Sequence, residues 1–348
     1  MRLLPEPVVA RILRQLTQKQ CHGFLDAMCK SLTAVSSQSI SSAADRLIHQ
    51  PLRTTITTKE QNLSLFMPVS NTTSTGIKIV TASQTYGLVG VINVFSPEGK
   101  LQGLLSAAEI TAFRTALAIM SLFIRCTTLK KDHIVIFGSG RQAEWHARLA
   151  LLLVPEQVKR ITFINRGRRR LQELEKDVIT ELRSTHPTIA MSILAKEDNP
   201  DYEEQLRTEL ASSDVIFSCT PATEPNFPYT YLQPFKPRFL SLIGSYKPHM
   251  REIDTETLLS GGGKIYVDSK EACLEESGEL ILAEVKEDQL VEIGELYGRS
   301  EKSQPLEVPE GCNVVFKCVG MGIMDLTIGN QLLEVGREKG LGMEVEGF

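Results

Sequence analysis

No apolar run in this chain approaches the ~20 residues that a membrane-spanning helix needs. The longest, 116–124, is short and is bracketed by Arg114 and Arg125. The N-terminus lacks the apolar core of a secretory signal. Val8, Val9, Ile12, Leu13 and Leu16 fall on one helical face beside Arg11 and Arg14, which reads as an ordinary first helix, with a mitochondrial presequence as the alternative. Cysteine is sparse and unpatterned: seven residues (21, 29, 126, 219, 273, 312, 318), odd in number and without a Cys-x-x-Cys pair. That speaks against a disulfide framework or a zinc site and for reduced thiols in the cytoplasm. There is no His-Glu-x-x-His or other ligand cluster, so no metal is expected. Charge of one sign is lacking too: 38 Lys+Arg against 42 Asp+Glu give a formal net charge of −4. Nucleic acid is therefore not an expected partner, nor is a membrane.

What remains is a globular composition, 42% hydrophobic and 23% charged over 348 residues, long enough for two domains. After a Ser-rich patch at 31–42 the chain alternates like a sheet. Strands are expected at 54–58, 77–80 and 88–95, with Ser96-Pro97-Glu98-Gly99 as a turn. Ser106-Ala107-Ala108-Glu109 has the spacing of a capping box and opens an apolar helix running to about residue 125. From 133 the rhythm is strand–helix–strand. Strands are expected at 134–137, 161–164, 189–194, 214–219, 239–243 and 265–267, and helices at 141–153, 167–184, 203–212, 254–260 and 272–283. That alternation predicts an α/β fold, a doubly wound Rossmann domain, beside a smaller α+β domain. A polar loop at 298–311 precedes a last strand near 313–319 and a helix over 325–339.

The stretch 133–143, HIVIFGSGRQA, carries the most specific signal. An apolar β-branched run feeds Gly138-x-Gly140-x-x-Ala143 and then a helical pattern, the context in which this fingerprint binds a dinucleotide. Gly138 permits the sharp turn, Gly140 lets backbone approach a pyrophosphate, and Ala143 lets the helix pack on its strand. The helix N-terminus then offers free N–H groups to phosphate. A plain strand–helix turn is the competing reading. The end of the second strand reads Asn165-Arg166-Gly167-Arg168-Arg169-Arg170 with no Asp or Glu to grip a ribose hydroxyl. Arginines crowding a helix start are disfavoured by its dipole unless an anion such as a 2′-phosphate joins them. The expected cofactor is NADP(H), with Arg166 and Arg168 at the phosphate.

Three cations form a second constellation: Arg53 at a strand entry, Lys78 between Ile77 and Ile79, and Arg114 in an apolar helix. A buried guanidinium needs a carboxylate, for which Glu109 or Glu98 could serve. Three such cations ahead of a cofactor domain also fit an anionic small-molecule substrate. Asp325 reads as an N-cap, His146 as helix surface, and Thr220 as a turn residue within reach of the cofactor.

Taken together these residues resemble the ornithine cyclodeaminase/mu-crystallin family from about residue 50 to the C-terminus. The carrying segments are Pro51-Leu52-Arg53, Gly76-Ile77-Lys78-Ile79-Val80, Ile110-Thr111-Ala112-Phe113-Arg114-Thr115-Ala116 and Gly138-Ser139-Gly140-Arg141-Gln142-Ala143. Asn165-Arg166, Ile243-Gly244-Ser245, Pro248, Arg251-Glu252, Val267-Asp268-Ser269, Glu276-Ser277-Gly278-Glu279, Phe316-Lys317, Gly320 and Asp325 continue the match. The resemblance implies a homodimer, with residues 1–125 forming a substrate-binding and dimerisation domain that 320–348 rejoins, and 126–319 forming the Rossmann domain. It places Arg53, Lys78 and Arg114 on the substrate carboxylate, with Lys78 catalytic. Gly138, Gly140, Gln142, Ala143, Asn165, Arg166, Thr220 and Ser245 fall on the dinucleotide, and Thr115 with them. Cyclodeaminases of the family carry an Asp where this chain has Tyr246. That favours the ketimine reductase-like branch, NADPH-dependent reduction of an imino acid. A cyclodeaminase-type lyase or dehydrogenase, or a non-catalytic NADP-dependent binding protein, is the alternative.

Overall fold

The structure, a computed structural model, describes residues 1–38, 45–83, 85–297, 306 and 308–347. Positions 39–42 of the Ser-rich patch and most of the loop expected at 298–311 lie outside these residues. The chain divides into two compact units. One comprises Met1–Ala118, Gly294–Arg299 and Gly320–Phe348, and the other Ile119–Ile293 and Ser300–Val319. The division falls inside the helix Ala107–Phe123, not at residue 125. That helix is apolar on both sides of the division, so composition gives no mark there.

The first unit is built on a mixed sheet. Its strands are β1 (Arg2–Leu4), β2 (Thr54–Thr57), β3 (Leu63–Ser70), β4 (Thr75–Ser83), β5 (Gly87–Phe95) and β6 (Leu101–Ser106). The order is the terminal strand Met343–Glu344, then β1, β6, β5, β4, β3 and β2. Pairing from β2 through β6 is antiparallel, and β1 runs parallel to β6. Strands β3 and β6 were not expected from the sequence. The helix Gln18–Ser37 was also missed: it opens on a capping box formed by Thr17 and Gln20 and absorbs most of the Ser-rich patch. The helix Gly322–Glu338 packs on β3, β4 and β5 and beside Gln18–Ser37, burying Leu326, Ile328, Leu332 and Leu333. Alternation along β4 puts Gly76, Lys78 and Val80 on the face toward the core. Lys78 therefore lies between Met67 of β3 and Ile92 of β5, its cross-strand neighbours in the core. On the opposite face Phe66, Ile79 and Val91 form an apolar row, only half-buried.

The second unit is an eight-stranded parallel sheet. Its strands are β7 (His133–Phe137), β8 (Arg160–Asn165), β9 (Ala190–Ala195), β10 (Val215–Ser218), β11 (Phe239–Leu242), β12 (Ile265–Val267), β13 (Leu290–Glu292) and β14 (Val314–Lys317). They lie in the order β13-β12-β14-β11-β10-β7-β8-β9. The chain moves outward from β7 to β8 and β9, then restarts beside β7 at β10, which makes the reversal of a doubly wound sheet. Every residue of β7, β10, β11 and β14 is buried, as expected where helices cover both faces. The helix expected at 167–184 is one helical run with a π turn at Glu175–Ile179, and the one expected at 272–283 is broken at Ser277. No helix among the described residues is long and apolar enough to cross a membrane.

Candidate active site

In the first unit, Lys78 and Arg114 share one carboxylate. Lys78 Nζ lies 2.6 Å from Asp325 Oδ2, and Arg114 Nε donates to Asp325 Oδ1 at 3.1 Å. All three side chains are buried. The sequence reading had Asp325 as an N-cap and Glu109 or Glu98 as the partner of Arg114. The structure corrects both. The last helix starts earlier, with Met321 at its N-cap, which puts Asp325 in the first turn, where the helix dipole favours a carboxylate. Glu109 pairs with Arg14, and Glu98 accepts from Ser96. The hydroxyl of Ser106, read as a cap, donates to Glu6. Gly320 has φ +88, and a Cβ there would meet the Arg114 guanidinium at 2.2 Å, so the chain needs glycine at this point.

Two buried cations on one carboxylate leave an excess of positive charge, and the charge of Arg53 acts on Lys78 as well. Burial pulls the Lys78 ammonium down to about 7; Arg114 and Arg53 push the same way, while Asp325 opposes them. Arg114 and Arg53 thus both act on Lys78, and the carboxylate that organises Lys78 and Arg114 is the one the sequence pattern gives as an N-cap. Such a group accommodates a further anion and exchanges a proton near neutrality. The hydroxyl of Thr115 donates to the Thr111 carbonyl of its own helix at 2.8 Å.

The second unit holds the glycine-rich turn. Gly138 has φ +116, and a Cβ there would lie 2.8 Å from the Cys219 carbonyl oxygen. Gly140 caps the helix Arg141–Leu153 in an extended conformation and has no side chain of its own to bond to the first-turn N–H groups. A Cβ on Gly140 would meet nothing within 4 Å. A helix start behind a glycine with open space around it fits the pyrophosphate of a dinucleotide. Gln142 enters that helix, and Ala143 is fully buried against its strand. His146, expected at the surface, is buried instead: its Nδ1 lies 2.7 Å from the Gln142 carbonyl, its ring packs on Phe217, and burial lowers its pKa to about 4.

At the exit of β8, Asn165 donates to the Gly167 carbonyl at 3.0 Å. Arg166 is exposed and makes no ion pair among the described residues. Arg168 is tied to the exit of β9: its side chain donates to the Glu197 carbonyl at 3.0 Å, and its backbone N–H to the Glu197 carboxylate at 2.8 Å. The sequence put no carboxylate at this corner; the fold brings Glu197 there from a neighbouring strand.

At the exits of β10 and β11, Thr220 and Ser245 are both engaged by buried carboxylates. Thr220 N donates to Glu252 Oε1 at 2.7 Å, and the Ser245 hydroxyl donates to Glu279, with Lys317 Nζ 3.1 Å away. Burial pushes Glu252 up to about 7. Burial would raise Glu279 likewise, but Lys317 and the hydrogen bond from Ser245 bring it below the usual carboxylate value. Glu252, Glu279 and Lys317 entered the sequence reading only as parts of a resemblance. A signal existed: Lys317 ends the apolar strand Val314-Val315-Phe316, the same pattern that singled out Lys78.

Residues 21–340 match the ornithine cyclodeaminase/mu-crystallin family. The chain is 26% identical over 322 residues to the Δ1-pyrroline-2-carboxylate reductase of Bacillus cereus, covering 87% of this chain and 91% of that protein. It is 27% identical over 304 residues to the ketimine reductase mu-crystallin of Mus musculus, covering 82% and 85%. Among solved structures, Thermococcus litoralis Δ1-pyrroline-2-carboxylate reductase in complex with NADH and L-proline has the same fold. Its TM-score is 0.79 at 20% identity, over 99% of this chain and 100% of that one. With the matched region spanning both units, the chain belongs to the ornithine cyclodeaminase/mu-crystallin family.

Proposed function

We propose that the chain is an NADPH-dependent imine (ketimine) reductase acting on the C=N bond of a cyclic or linear imino acid, next to its carboxylate. The observation that carries this reading is the Lys78–Asp325–Arg114 cluster, a buried cation excess with a titratable ammonium at its centre. Arg114 Nε is held by Asp325, which fixes the plane of the guanidinium and leaves its Nη donors, set against Gly320 and Met324, to bind a substrate carboxylate. Arg53 adds a second positive charge. A reduced nicotinamide would supply the hydride for the imine carbon when bound; Lys78 holds the proton that goes to nitrogen, so that C=N becomes CH–NH. The relatives named as ketimine and pyrroline-2-carboxylate reductases support the same chemistry.

Absorbance of NADPH, followed with purified protein and a panel of cyclic imino acids and keto acid/amine pairs, tests the proposal. Consumption of NADPH with at least one imino acid is expected. Binding of NADPH without turnover of any of them would leave a binding protein in its place. At saturating NADPH, kcat/KM should fall as pH rises through about 7, because the protonated Lys78 is the donor. Lys78→Met should lose about 100-fold or more in rate together with that limb of the profile. A limb that survives the substitution would assign the proton to another group.

Arg166 is the proposed partner of the 2′-phosphate: Arg168 and Arg169 are engaged by Glu197 and Glu173, and of Arg166 and Arg170, which make no ion pair among the described residues, Arg166 directly follows β8. Arg166→Ala should weaken NADPH by about 1.5–3 kcal/mol and leave NADH unchanged in titration calorimetry. Equal weakening would make the role structural. The half-buried row Phe66, Ile79 and Val91, with exposed Ile56 and Val89 on the same face of the neighbouring strands, is the proposed homodimer face. Sedimentation should give a dimer mass, and Ile79→Asp should shift it to a monomer. The seven free thiols fit the reducing cytosol as the compartment.

A further inference from the structure

We infer that Glu252 is a positioning residue: its buried carboxylate locks the exits of β10 and β11 together and so holds the floor for the nicotinamide half of the dinucleotide. The inference rests on the dinucleotide reading above and goes beyond it in assigning a residue that makes no contact with the cofactor itself.

The two strands pair in parallel from Val215↔Phe239 to Ser218↔Leu242. Their last backbone bond among the described residues runs from Ile243 N to the Ser218 carbonyl, 3.0 Å. Beyond it the Glu252 side chain takes over. Oε1 accepts from Thr220 N at 2.7 Å and from Ser218 Oγ at 2.8 Å, while Oε2 accepts from Gly244 N at 2.7 Å. Asn226 braces the same turn, donating to Ser218 Oγ and Thr220 Oγ1 at 3.0 and 2.9 Å. The exits meet so closely that a Cβ on Gly244 would lie 1.9 Å from the Thr220 carbonyl oxygen. Glu252 is itself anchored, its own N–H donating to Glu279 Oε1 at 2.8 Å, and Glu279 in turn faces Lys317.

Only a carboxylate offers an acceptor at both ends of the side chain. A glutamine in its place would turn an NH2 toward either Thr220 N–H or Gly244 N–H, leaving a buried donor unmet and the two exits free to part. A doubly wound sheet is made of two mononucleotide-binding halves, with ligands outside the carboxyl ends of the strands. Strands β7 to β9 form the first half and β10 onward the second. The Glu252 clamp lies wholly in the second half, so its loss should affect one end of the cofactor and spare the other.

The test compares NADPH with adenosine 2′,5′-bisphosphate, which carries only the adenine end, by titration calorimetry on the full chain. Wild type is expected to bind both. Glu252→Gln should weaken NADPH by about tenfold or more and leave the bisphosphate within about twofold. Equal weakening of both ligands, or of neither, would overturn the clamp while leaving the dinucleotide reading intact. Binding of neither ligand by wild type would overturn both. Should the variant fail to fold, wild type alone carries the test. The charged groups facing Glu252 are Lys317 and Glu279, and the neighbouring Cys219 thiol is held protonated by burial. Lowering the pH through about 7 protonates Glu252, so the ratio of NADPH to bisphosphate affinity should fall. A ratio constant across that range would remove the clamp. The ionisation of the shared 2′-phosphate cancels in the ratio, and that of the bisphosphate's 5′-phosphate monoester, at about 6 and without a counterpart in NADPH, is subtracted as measured on AMP.

Discussion

The first unit turns on one carboxylate. Asp325 neutralises part of the charge of two cations that the fold places in its core, one on β4 and one on the helix Ala107–Phe123. Neither cation is tolerable there alone, since an isolated buried charge costs several kcal/mol. The last helix must therefore return to this sheet to bring its first turn against them. Placing an ammonium on the core face of β4, between Met67 and Ile92, sacrifices apolar packing for charge. A fold selected only for stability would put Leu or Val at that position, so the lysine is best understood through chemistry.

The second unit meets a different constraint. Parallel strands stop hydrogen bonding at their carboxyl ends, where the chain must also leave room for a ligand. The exits of β7 and β10 approach through Gly138, and those of β10 and β11 through Gly244, so backbone meets backbone without intervening side chains. Buried Glu252, Glu279 and Lys317 then supply the polar contacts that the ended ladder no longer provides. These charges are satisfied by backbone donors and by each other, which makes their burial affordable.

Much of the second unit was legible because its signals are local. The apolar run before Gly138, the helix Arg141–Leu153 and the strand Ile265–Val267 lie where pattern and turn chemistry put them. The site in the first unit was legible only in part. Lys78 and Arg114 stood out as cations in apolar surroundings, but their partner Asp325 is 211 positions from Arg114 and carries the local look of a helix cap. Nothing in a linear pattern distinguishes a capping Asp from one that enters the first turn and points inward. Glu197 beside Arg168 was hidden for the same reason, because strand pairing and not spacing brings it there. The helix Gln18–Ser37 was missed where serine and other polar residues diluted its apolar face, and its packing against the last helix stabilises it.

Arg166 differs from the buried charged residues of this machinery in being exposed and in making no ion pair among the described residues. Lys78, Arg114, Asp325, Glu252 and Lys317 are each bound into a network whose disturbance reaches the core. A change at residue 166 meets no such resistance, because it opens no cavity and strands no partner. On the proposed role of Arg166, stability and cofactor preference are uncoupled at this place. If Arg166 holds the 2′-phosphate as proposed, substitution there would exchange one nicotinamide cofactor for the other while the fold and the buried cations stay as they are, so cofactor preference would be the property that descendants of this chain change most readily.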